Sequence, residues 1–239
     1  MPLPKIITPT YELAIPSTGK KIRYRPFLVK EEKILIMALE SEDIKQITDA
    51  IVEILSECIL TKGVKVLELA TFDIEFIFLN VRAKSVGEMI DVNVTCPDDE
   101  VTTTKVTIDL DAIQVQKNEE HTNQIKLDDS IMMELKYPSL EQFIKSNFDF
   151  SDQNQMDQSF QLIGQCIDKI YTEDEVWAAA DCTKKEINDF LESMNSNQFK
   201  EIETFFETMP KLAHTITVKN PKTKVESEVV IEGLASFFA

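Results

Sequence analysis

The segment VNVTCPDDEVTTTKVTIDL, Val92–Leu110, carries the reading of the fold. Apolar and polar residues alternate on both sides of a Cys-Pro tip. That is the period-two pattern of a half-buried β-hairpin. The same outline returns near the C-terminus as ITVKNPKTKVESEVVIEGLASF, Ile216–Phe237. Laid over each other, the two place Cys96-Pro97 opposite Asn220-Pro221, and the second has a loop one residue shorter. Duplication or convergence would both produce this likeness. A zinc ribbon needs two facing Cys-x-x-Cys knuckles. Here the four knuckle positions are Cys96, Asp99, Asn220 and Thr223, and an amide and a hydroxyl are not ordinary zinc ligands. The expectation is a pair of zinc-ribbon-like hairpins without metal.

Between and before these hairpins the period changes. Prolines at positions 2, 4, 9, 16 and 26 punctuate the start of the chain, and Ser17-Thr18-Gly19 suits a turn between strands near 10–15 and 20–25. Helices are expected over Lys30–Glu40 and along the stripe Ile44, Ile47, Ile51, Ile54, Leu55, Cys58 and Ile59. A third helix, FDIEFIFLNVRAK (Phe72–Lys84), is preceded by Thr71 as an expected N-cap, with Asp73 and Glu75 in its first turn. It is apolar on two sides. Phe72, Phe76, Leu79 and Ala83 share one face, and Ile74, Phe78 and Val81 the other, with Ile77 beside them. Such a helix is either sandwiched within its own domain or buries one side against a second protein.

After an acidic connector, strands are expected at 123–127 and 131–136, followed by helices. Ser139/Gln142 and Thr183/Glu186 each have the spacing of a capping box. Met156, Phe160, Ile163, Ile167 and Ile170 read as one helical stripe, and the run after Ser196 reads as a helix closed by Pro210. The fold class is α+β: an N-terminal hairpin, helical segments and the two ribbon-like hairpins. By chain order it divides into 1–115, with hairpins and three helices, and 116–239, helical and closed by the terminal hairpin; the alternative is one compact domain formed by both.

Charge restricts the partners. Forty-two acidic residues against 25 basic ones give −17. That field repels phosphate backbones and anionic lipid, so neither nucleic acid nor a membrane is expected as a partner, while a basic protein is attracted. Four dispersed cysteines, Cys58, Cys96, Cys166 and Cys182, share no metal or redox spacing and read as reduced thiols. His121 and His214 lie in no nucleophile motif, and there is no phosphate loop or dinucleotide fingerprint. No enzymatic activity, cofactor or metal is expected.

The opening PTYELAIPSTGKKIRYRPFLVKEEKILIMALES, the block LATFDIEFIFLNVRAKSVGEMIDVNVTCPDDE and the terminal EGLASFF resemble the T-even-type bacteriophage baseplate hub assembly proteins. The likeness covers about the first 110 residues and the last 25; the helical middle has no motif to match. The resemblance implies a non-enzymatic tail assembly protein, made in the cytoplasm of the infected host, that contacts other baseplate hub and tail proteins. Whether it stays in the virion as a permanent hub subunit is left open, and a cryptic metal-binding domain is the remote alternative. The residues expected to meet a partner are Arg25, Pro26 and Phe27, a face of the third helix with Phe72, Phe76, Phe78 and Arg82, and the tail residues Leu234, Phe237 and Phe238. Arg25 and Arg82 also suit a structural role, since guanidinium forks pair with buried carboxylates.

Overall fold

The computed structural model describes residues 6–142, 144 and 155–233, with the side chains of 155–158 left aside. The chain falls into two compact units. One joins residues 1–116 to 211–239, and the other is 117–210. The first unit is thus discontinuous in sequence. Chain order groups the terminal hairpin with the helical region; spatially it belongs to the first unit, because β10 (Lys211–Lys219) pairs with β5 (Gln114–Gln116) as well as with β11 (Glu226–Glu232).

In the first unit β1 (Tyr11–Ala14) and β2 (Lys21–Tyr24) form the N-terminal hairpin, followed by α1 (Val29–Glu40) and α2 (Ile44–Cys58). The helix α3 spans Thr71–Val86, and β3 (Met89–Thr95) and β4 (Thr103–Asp109) form the second hairpin. Phe76, Leu79 and Ala83 of α3 pack against Val92 and Val94 of β3, Ile108 of β4, and Ile216 and Val218 of β10. Ile74, Ile77, Phe78 and Val81 are buried as well, and α2 lies beside the helix. The sandwich within its own unit is the arrangement adopted by α3. Its N-cap is Ala70 rather than Thr71, which is already helical. Asp73 does more than oppose the helix dipole. Fully buried, it accepts hydrogen bonds from the Ser17 amide (2.9 Å) and hydroxyl, and so fastens the turn of the first hairpin to α3.

The second unit is a four-stranded antiparallel sheet, ordered β6 (Gln124–Lys126), β7 (Met132–Leu135), β8 (Ile167–Tyr171), β9 (Val176–Ala178). With it go α4 (Gln155–Cys166), α5 (Lys184–Glu192) and α6 (Ser196–Thr208). Ile125, Met133, Leu135 and Ile167 from the sheet meet Ile163, Leu191, Ile202 and Phe205 from the helices in one core. The Thr183/Glu186 capping box opens α5, and Asn195 with Gln198 forms another ahead of α6. Ser139 and Gln142 make the reciprocal bonds expected of them. The stripe Met156–Ile170 is not one helix: the helix ends at Cys166, and Ile167 and Ile170 belong to β8. An i, i+3 isoleucine pair fits both a helix and a strand that starts one residue out of step. Here the register irregularity between Glu134 and Leu135 absorbs the step. Among the described residues, no helix is long and apolar enough to cross a membrane.

Candidate partner-binding surfaces

Arg25 is half-buried, and its Nη2 lies 2.8 Å from Glu31 Oε1. Glu31, 1% exposed, also accepts from the Leu28 amide at 2.8 Å and pairs with Lys30 Nζ at 3.1 Å. Burial pushes the Glu31 carboxyl up, but these donors outweigh it and hold its pKa at about 2. Arg25 Nη1 donates to the Pro26 carbonyl at 2.9 Å, and the Phe27 amide donates to Ser85 Oγ at 2.9 Å. The Arg25-Pro26-Phe27 corner therefore joins α1 to α3, with Pro26 and Phe27 buried. Phe72, Phe76 and Phe78 are interior residues. Arg82 is half-buried, and burial lowers its pKa. In this conformation none of these rings is presented to a partner. Leu234, Phe237 and Phe238 lie outside the described residues.

The tips of the hairpins β3–β4 and β10–β11 have the same local geometry. Glu100 N–H donates to the Cys96 carbonyl at 2.9 Å, and Lys224 N–H donates to the Asn220 carbonyl at 3.0 Å. Glu100 and Lys224, each four residues past the start of its tip, have positive φ of 55° and 67°. The tips also touch. Asn220, fully buried, donates through Nδ2 to Asp98 at 2.9 and 3.1 Å, and Thr223 Oγ1 donates to Asp98 Oδ2. Asp99 is turned back on its own hairpin, accepting from the Thr102 hydroxyl (2.6 Å) and amide (2.9 Å). Both carboxyls are held below the ordinary aspartate range, Asp98 by Thr223 and Asn220, Asp99 chiefly by Thr102. Sequence overlay found the positions that face each other but not the bridging residue: Asp98 is one place before the knuckle position. Among the described residues, no group of three or more His, Cys, Asp or Glu side chains is arranged to hold a metal.

The thiols Cys58 and Cys166 are buried, which pushes their pKa values up to about 11 and about 12. His121 is built into the second unit. Its Nδ1 lies 2.9 Å from Thr208 Oγ1 and its Nε2 3.0 Å from the Tyr137 hydroxyl, and its ring stacks on Tyr137. Burial depresses its pKa.

An exposed surface absent from the expectations lies on α1. Val29, Ile36 and Met37 fall within about 100° of one another around the helix, on the side opposite the buried Glu31, Leu35 and Ala38, and share that sector with the exposed Lys33 and Glu40. Val29 is 67% and Met37 71% exposed, and Ile44 at the start of α2 is 66% exposed. The missed signal was the sequence KILIM, Lys33–Met37, whose apolar residues occupy more of the helix circumference than one core-facing stripe needs. Single exposed apolar residues are ordinary, whereas several gathered on one side mark a contact surface.

The molecule is thus a two-unit α+β protein with several apolar side chains of α1 exposed outside its core. Over residues 8–239 it matches the family described as T4 bacteriophage base plate protein, and the chain belongs to that family. Neither a curated protein nor a solved structure matches it.

Proposed function

We propose that this baseplate protein acts without catalysis in assembly of the baseplate hub, through direct contacts with other hub and tail proteins. The carrying observation is the set of exposed apolar residues on one side of α1, Val29, Ile36 and Met37, standing among Lys33 and Glu40, with Ile44 at the start of α2 exposed as well. It is a surface of the kind that association removes from water. The acidic balance of −17 adds electrostatic steering toward basic partners. The place of action is the cytoplasm of the infected host, where tails are assembled. The family description favours one second reading, a permanent subunit of the virion baseplate. Quantitative mass spectrometry of purified mature virions separates the two. Assembly followed by release predicts loss of the chain from virions, and peptides at baseplate stoichiometry would establish the permanent subunit instead.

The hairpin tips belong to the same reading as architecture. In the proposed metal-free ribbon, the Asp98 bridge to Asn220 and Thr223 replaces the metal that would otherwise join two knuckles.

A further inference from the structure

The charge is unevenly divided. Residues 117–210 contain 20 acidic and 8 basic residues, a difference of −12 out of the chain's −17. Within this unit β6 is the first strand of the sheet, and among the described residues no strand pairs with its outer side. A groove of about 540 Å³ runs between β6 and α6. On the helix side Asn197, Glu201, Thr204 and Thr208 line it at the spacing of one helix face, with Phe205 beside them. On the strand side the four consecutive residues 124–127 line it. A single face of a strand presents only alternate residues, so the groove is bordered by the backbone edge of β6.

The ladder fixes which peptide groups face that edge. Leu127 N–H donates to the Ile131 carbonyl at 3.0 Å, and Leu135 N–H to the Asn123 carbonyl at 2.8 Å. Bonded pairs alternate in an antiparallel ladder. Asn123, Ile125 and Leu127 therefore address β7, and Gln124 and Lys126 turn their peptide groups toward the groove. Among the described residues, the Lys126 peptide groups have no partner, while the Gln124 amide donates to the Thr122 hydroxyl at 3.1 Å and the Gln124 carbonyl accepts from that hydroxyl at 3.4 Å. The groove is braced at both ends. Gln198 Nε2 donates to the Leu127 carbonyl at 2.8 Å, and Thr208 Oγ1 contacts His121 Nδ1 at 2.9 Å. Glu120 and Glu201 stand at its walls. The only lysine of its lining, Lys126, is held by Asp129 at 2.8 Å.

We infer that this groove takes an extended, basic segment of another protein, added as a strand to β6. Its peptide groups bond to Lys126 and, in place of the Thr122 hydroxyl, to Gln124, and its cationic side chains lie beside Glu120 and Glu201. Pairing of extended peptide to an exposed strand edge supplies main-chain hydrogen bonds, and the flanking walls supply selectivity. A second copy of this chain would bring −17 against −17, which disfavours self-pairing. The inference stands on the geometry of the second unit and does not depend on the hub-assembly reading.

The test is fluorescence anisotropy of a short labelled peptide of alternating lysine and valine, titrated with the full chain. Saturable one-to-one binding with slowed exchange of the Lys126 amide is expected. Lys126→Pro removes the outward N–H at an edge position where proline leaves the ladder intact. It is expected to keep the native circular dichroism and weaken binding at least about tenfold. Glu120→Gln with Glu201→Gln is expected to weaken it about tenfold without touching the backbone edge. Native affinity in the folded Lys126→Pro chain, or in the double Gln variant, overturns the proposal. So does equal binding of an alternating glutamate and valine peptide. Self-association in sedimentation that Lys126→Pro abolishes would give the groove to a second copy and likewise overturn it.

Discussion

Glu31 carries its charge almost completely shielded from water, and Arg25, the Leu28 amide and Lys30 make that tolerable. Its pKa of about 2 lies below the 4.5 of a free carboxyl. The unfolded chain therefore binds the proton first as pH falls. The stability this network contributes is complete above pH 4.5 and is lost as pH drops toward 2. Arg25→Met leaves a buried carboxylate without its main partner and is expected to cost about 3–5 kcal/mol at neutral pH. Urea unfolding at pH 7 and again near pH 3 checks this. The gap between native and variant chains should narrow in acid, and a gap independent of pH would show that Glu31 is not the group responsible. Arg25 was legible in the sequence as a residue of consequence, because a guanidinium next to Pro-Phe ahead of a helix is conspicuous. Its partner was not, since nothing in the spacing shows that Glu31 turns back under the helix start.

At the scale of elements, the readings that succeeded were those in which one period ran unbroken. The stripe of α2 from Ile51 to Cys58, the two-sided α3 and the alternation of β3, β4, β10 and β11 fold as their patterns dictate, while Ile44 at the head of the α2 stripe is exposed. The failure at Ile167–Tyr171 came where a helical stripe runs directly into a strand with no glycine or proline between them. Pairing with β7 and β9 then decides the conformation, and such long-range pairing leaves no local mark. The exposed side of α1 was missed for a related reason: apolar residues in excess of a core stripe look the same as a wide core stripe until the packing is seen. The hairpin clasp carries its own prediction. Asp98→Ala leaves the buried Asn220 amide without its acceptor and is expected to cost about 1–3 kcal/mol, measured by thermal or urea unfolding. The purified native chain is expected to contain no zinc. One zinc per chain, released together with unfolding, would contradict the metal-free ribbon.

Across the whole molecule, chain order and spatial order part company. The middle of the sequence, 117–210, is a unit of its own inserted between β5 and β10, which pair directly. This was beyond the sequence because the hairpin likeness suggests two repeats in line, not two halves of one unit. The same division concentrates acidic charge in the inserted unit and leaves the exposed apolar residues of α1 in the other. On the proposed function, the exposed residues of α1 serve assembly and not folding. The most direct measurement uses Ile36→Glu with Met37→Glu, supplied in cells infected with phage lacking the native chain, followed by a count of complete tails. Exposed positions tolerate such changes within about 0.5 kcal/mol of stability, so the variant should unfold at the native urea midpoint while complete tails fall sharply. Native numbers of tails made with the stable double variant would show that the exposed residues of α1 play no part in assembly.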